Sequence, residues 1–338
     1  MRVHIGARSL VVVVVGLACM LAMPAAQSAR SVETIDLMPL YWRFHAQAQG
    51  RTVDEQVRLF REMVVERRPE VYNADVLQVP GGRPLADALP DIYPKATAWT
   101  GPHTAVIRSL SEEIASSMPR YEATFRREFP DFAYTGRVYF MYSLGAFDGA
   151  VRTVQGRPAL LFGLDAIAAI HGEVATIGPL LHHELFHAYH GPLIGTTGRG
   201  LPLFLSVWTE GLATLVARQM HPSASDVAIY GLPPNTPQRV RDDLPRLAAR
   251  LRAALDSTVP GDYDAWFTGN ETDADIPRRS GYYLGYLVAA RIQQGRPLRE
   301  LARLEGPPLR QAIDAALADP AALASGGPGT PARVPPRP

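Results

Sequence analysis

Apolar positions in this chain recur at helical spacing over most of its length and run together in one central stretch. Val53, Val57, Leu59, Phe60, Met63 and Val64 place an apolar stripe along residues 52–67 and predict a helix there. Thr52 with Glu55 forms a capping box at its start, and Arg68-Pro69 ends it. A helix over Ser31 to His45 precedes it, and Val79-Pro80-Gly81-Gly82-Arg83-Pro84 predicts a loop. Val106, Ile107, Leu110, Ile114 and Met118 mark a longer helix from about His103 to Phe129. Its polar positions, among them Glu112, Glu113, Arg126 and Arg127, read as a solvated face. From Gly136 the pattern changes: Val138 to Leu144, Val151 to Val154 and Leu160 to Phe162 are rich in β-favouring residues and punctuated by Gly145, Gly149 and Gly156. Helical spacing then returns over Ile177 to His190, ended by Gly191-Pro192, and over Leu203 to Met220, Val240 to Leu255, Ser280 to Gln293 and Leu298 to Leu317.

These patterns predict an α+β protein, mostly helical, with a short and mainly antiparallel sheet of about three strands beside the Ile177 to His190 helix. Residues 30–100 read as an N-terminal helical region, 101–225 as a central core and 226–320 as a C-terminal helical region. The Pro/Gly-rich residues 321–338 read as a disordered tail. No internal repeat is evident.

Composition narrows the class. With 34 basic and 33 acidic residues and a net charge of +1, the chain lacks the basic excess of a nucleic-acid binder. Arg2, His4 and Arg8 precede an apolar run from Leu10 to Met23, followed by small residues up to Ala29. This is the pattern of a secretory signal peptide over residues 1–29, too short to span a membrane comfortably. It predicts export to a periplasmic or extracellular location, with no membrane span in the mature form. The single cysteine, Cys19, lies inside that run, where lipoprotein anchoring is an alternative reading. Cleavage after it leaves a chain without disulfides or thiolate ligands, so a metal site has to use histidine and carboxylates.

Such a site is suggested by His183-Glu184-Leu185-Phe186-His187. On a helix, His183 and His187 share a face and can grip one metal ion, and Glu184 can reach a water there without being a ligand. A catalytic zinc usually takes a third protein ligand. His190 is seven residues from His183, about 10.5 Å along the axis, too far to join the pair and hence a surface or outer residue. Glu210 is the better third ligand. Trp208, Leu212, Leu215 and Val216 surround it with apolar neighbours, and a buried carboxylate needs a partner. Gly211 and Ala213 are small enough to let this segment pack closely on the His helix. His182 points about 100° away from His183 and reads as a core or outer histidine. His171 and His221 can join the site only through long-range folding. No Gly-x-Ser-x-Gly nucleophile motif is present.

The His-Glu-x-x-His motif, followed by Trp208-Thr209-Glu210-Gly211-Leu212-Ala213, resembles the gluzincin metallopeptidases, the group of thermolysin and aminopeptidase N. The longer metzincin pattern fails, since His190 and Leu193 stand where glycine and a third histidine would be. Gly281-Tyr282-Tyr283-Leu284-Gly285-Tyr286 is also similar to a segment of bacterial families described as predicted zinc-dependent proteases. The resemblance covers roughly residues 136–292. It implies a zincin-like core, Zn2+ held by His183, His187 and Glu210, and Glu184 as general base. It further implies a tyrosine that stabilises the developing oxyanion: Tyr282 first, with Tyr286 on the same helical face and Tyr283 rotated away. An edge strand, Val138 to Leu144 or the segment around Leu160, would align a peptide or protein substrate. Leu144-Gly145-Ala146-Phe147-Asp148-Gly149 lacks the aminopeptidase glutamate, so aminopeptidase specificity is not implied.

The leading expectation is an exported zinc metallopeptidase. Two alternatives stay open: a degenerate zincin-fold binding protein, and a zinc hydrolase of a non-peptide amide or ester.

Overall fold

The computed structural model describes residues 31–195, 197–231, 233–268 and 275–325. The signal-peptide region, Cys19 and residues 326–338 of the tail lie outside the described residues, while residues 321–325, expected as disordered tail, belong to a short helix, Pro320–Ser325. The described residues belong to one compact unit. Among the described residues no helix is long and apolar enough to cross a membrane.

The fold is α+β, mostly helical, around one small mixed sheet. Its strands are β1 (Glu33–Asp36), β2 (Arg137–Met141), β3 (Gly149–Val154) and β4 (Arg157–Gly163), in the order β1-β2-β4-β3. β1 with β2 and β2 with β4 are parallel, and only β3 with β4 is antiparallel. The expected antiparallel sheet is therefore corrected to a mainly parallel one. Central parallel strands are covered on both faces and read as unbroken apolar runs. Accordingly Val138 to Met141 and Leu160 to Phe162 are fully buried. β1 was absent from the pattern because Glu33-Thr34-Ile35-Asp36 is short and polar; pairing with β2 places it in the sheet, where a helix was expected. The β3–β4 turn is Gln155-Gly156, both at positive φ, as a two-residue hairpin requires.

The helices of eight or more residues are α1 (Met38–Ala48), α2 (Val53–Phe60), α3 (Leu85–Thr100), α4 (Thr104–Glu128), α5 (Leu164–His171), α6 (Ile177–Ile194), α7 (Leu203–Met220), α8 (Leu244–Ala253), α9 (Ser280–Gln293) and α10 (Gly306–Leu317). The Thr52/Glu55 capping box forms at α2 as its spacing predicts. α2 then runs into a π-helical turn over Arg61–Val65. The helix expected over Leu298 to Leu317 is broken, with a short turn at Leu298–Leu301 before α10. α6 also departs from expectation. It continues through Gly191-Pro192 to Ile194 and stops at Gly195, which has φ +78°. Proline within the last turn loses one hydrogen bond without ending the helix, whereas a positive φ cannot continue it.

Two carboxylates position the site, Asp165 fully buried and Glu113 half-buried. Asp165, on α5, accepts hydrogen bonds from Ser143 N at 2.6 Å, Gly145 N at 2.7 Å and Ser143 Oγ at 2.9 Å. It thereby holds the β2–β3 turn, in which Leu144 and Gly145 have positive φ. Glu113, on α4, accepts from Thr176 Oγ1, Tyr121 Oη and the backbone of Ile177, and so caps the start of α6. The solvated face expected for α4 is thus wrong at Glu113. A long-range contact there satisfies an orphan helix donor, which periodicity cannot reveal.

Candidate metal centre

α6 is apolar almost all round because it is buried almost all round: Ile177, Leu181, Leu185 and Phe186 are fully enclosed. His182 fixes its rotation. One ring nitrogen lies 2.9 Å from Tyr121 O and the other 2.8 Å from His221 Nε2. Gly178 permits this approach, since a Cβ there would meet His221 Cε1 at 2.5 Å. With His182 facing the core, His183 and His187 face α7.

His183, His187 and Glu210 converge. His183 Nε2 and His187 Nε2 are 2.9 Å apart, and Glu210 Oε2 lies 3.2 Å from the first and 3.3 Å from the second. Three donor atoms on a tetrahedron around a divalent ion, with bonds of about 2.0–2.2 Å, sit roughly 3.3–3.5 Å apart. The triangle is slightly contracted but of that size. These residues therefore form a group that could hold a metal ion. Burial would lower the His187 pKa, but the adjacent Glu210 carboxylate outweighs it and raises the imidazole to about 9. Burial pushes Glu210 up, while His187 and His183 hold it well below the usual carboxylate range.

Glu184 lies beside this triangle with its carboxylate against Gly149, where a Cβ would come within 3.0 Å of Oε1. Burial raises its pKa, against the lowering by His187 and His183, in the direction a proton acceptor requires. Glu184, the triangle and Tyr282 line one cleft of about 620 Å³. The Tyr282 ring centroid is 6.3 Å from that of His183. Tyr286 does not share this position. It is buried against Tyr230 and Tyr283, because the cleft covers only the first turn of α9. Tyr283 accepts a hydrogen bond from Arg241 at 2.7 Å and points away as expected.

Other expectations change. His190 is fully buried, its ring tilted against Phe186 with centroids 4.9 Å apart, with no well-formed hydrogen bond to either ring nitrogen. It is a core residue and lies outside the metal-ligand triangle. Gly211 packs on α9, not on the His helix. The strand that borders the cleft is β3, through Gly149 to Arg152, whereas Val138 to Leu144 and Leu160 lie in the sheet interior. Two further cleft residues, Tyr263 and Arg279, carried no sequence signal; Asp148 and His171, the latter named only as reachable through long-range folding, line the cleft with them. The Gly-rich turn before β3 was the only hint of Asp148. Comparison of the chain with protein-family models, curated proteins and solved structures finds no match.

Proposed function

We propose that the chain is an exported zinc-dependent metallopeptidase of the zincin type, related in its chemistry to the gluzincins it resembles. The observation that carries this reading is the convergence of His183, His187 and Glu210 beside a partly desolvated Glu184. The donor set, two imidazoles and one carboxylate, suits zinc better than the all-oxygen sites of calcium or magnesium. Bound zinc would supply Lewis acidity, polarising a carbonyl and making water a better nucleophile at neutral pH.

The chain's own residues would do the rest. Glu184 takes the proton of the attacking water and delivers it to the departing amine. Gly149 gives that carboxylate room at the end of β3. The Tyr282 hydroxyl donates to the oxygen on which charge develops. β3 is an edge strand with one unpaired side, and its Gly149 to Arg152 backbone would align an extended peptide by strand addition. Export rests on the N-terminal residue pattern.

The test is hydrolysis of unfolded casein with and without chelator, together with metal analysis of two variants. Glu184→Gln should keep its zinc and lose about 10²- to 10⁴-fold in rate. Glu210→Ala should lose affinity for zinc by more than the about 10- to 100-fold typical of outer-shell changes. Undiminished hydrolysis by Glu184→Gln would remove the general base, and chelator-insensitive hydrolysis would remove the metal.

A further inference from the structure

Arg279 has an unusual position for an arginine. It stands immediately before α9 at φ +55° and ψ +22°, a left-handed conformation disfavoured by residues with a Cβ. Its guanidinium lines the same cleft as the metal-ligand triangle and lies 4.7 Å from the Tyr282 ring centroid, over the ring face. Nε is enclosed and has no hydrogen-bond partner, and no carboxylate among the described residues forms an ion pair with this side chain. Many of the chain's other arginines are paired, as Arg252 is with Asp314 and Arg310 with Asp256.

A guanidinium has five N–H donors in a planar fork, and buried donors are normally satisfied. Stacking on Tyr282 fixes the plane of the fork but uses none of the donors. None of the described residues supplies the complementary group, and the chemistry that matches the fork is a planar carboxylate bound by two parallel N–H···O bonds. Asp148 and Glu210 are close enough to act on Arg279 through space but not to bond it. They hold the cation charged without occupying its donors.

We propose that Arg279 is the specificity-determining residue of this cleft and binds a carboxylate of the substrate while the neighbouring metal group acts on a nearby carbonyl. The assignment deepens the peptidase reading and rests on it for the word substrate. The carboxylate is either the free C-terminus of a peptide or an acidic side chain.

The experiment uses the zinc-loaded full chain carrying Glu184→Gln, so that binding is measured without turnover. Three N-acetylated peptides are titrated: one with neutral side chains and a free C-terminal carboxylate, the same peptide amidated, and the amidated peptide with one glutamate. A preference of about 10- to 100-fold for a carboxylate peptide is expected, the size of a charge-assisted bidentate pair. Preference for the first peptide identifies the C-terminus, and preference for the third identifies a side chain. Adding Arg279→Met should abolish the preference. Arg279→Lys, which keeps the charge but not the fork, should retain only part of it and guards against misfolding. Equal binding of all three peptides, binding of none, or a preference that survives Arg279→Met overturns the assignment. Hydrolysis of the same peptides by the unsubstituted chain separates the two readings. Selective binding without hydrolysis leaves the arginine assignment and removes the peptidase; hydrolysis without selectivity does the reverse.

Discussion

Gly211 and Gly285 meet backbone to backbone where α7 crosses α9. A Cβ on Gly211 would fall 2.2 Å from the Gly285 carbonyl carbon, and one on Gly285 would fall 2.5 Å from Val207 O. The contact lies next to Glu210 on one helix and between Tyr282 and Tyr286 on the other. It therefore sets the spacing between the helix that carries Glu210 and the helix that carries Tyr282.

Gly211→Ala should separate these helices. Overpacking against backbone costs about 1–3 kcal/mol even where relaxation is possible. We expect a lower midpoint in urea denaturation and a weaker zinc affinity from the same substitution. Ala213→Gly, about 200° round the helix from Gly211, should leave zinc affinity unchanged. Normal stability and metal affinity in Gly211→Ala would show that the close approach has no bearing on the site.

Tyr282→Phe removes one hydroxyl and leaves the ring under Arg279 in place. If that hydroxyl donates to the developing oxyanion, turnover falls by about 10²-fold, the loss seen when one such donor is removed. Zinc content and the stability midpoint should hardly move. Tyr286→Phe, buried against Tyr230, serves as the control and should retain its rate. Equal rates for wild type and Tyr282→Phe would exclude the donor role.

Stability should decline in mild acid because of histidines that the fold keeps neutral. Burial pulls His182 down to about 4 and His190 to about 3. An unfolded imidazole titrates near 6.5. Below that pH the unfolded chain binds protons that the folded chain refuses, so the slope of stability with pH is positive. The stability is complete above about pH 6.5 and is lost as pH falls from there towards the folded pKa values. Each histidine contributes at most about 1.4 kcal/mol per pH unit in that window. Urea midpoints measured from pH 7.5 to 4 should show this decline, and His190→Phe should flatten it. A profile unchanged by that substitution would place the acid sensitivity elsewhere.

Much of the candidate site was legible before folding because its ligands follow local rules. His183 and His187 share a face through helical geometry alone, and Glu210 stood out as a carboxylate in an apolar stretch. The spans of α7 and α9 follow from uninterrupted 3.6-residue spacing. Where spacing meets proline, local rules mislead: Gly191-Pro192 predicts a helix end, yet the backbone stays helical until the positive φ of Gly195.

What the sequence by itself determined about this protein is therefore the set of groups that spacing along one helix brings together, with Glu210 on the next helix singled out by its apolar neighbours. Only the tertiary structure decided the partners that arrive from far along the chain. Strand pairing made the sheet mainly parallel and put β3 at the cleft, since hydrogen-bonding partners are chosen by the packing of both sheet faces. Glu113 became a helix cap, His182 was joined to His221, and His190 was sealed into the core. Arg279 and Asp148 entered the cleft for the same reason: nothing in their local spacing encodes it, and contacts between distant segments are fixed only when the core closes around them.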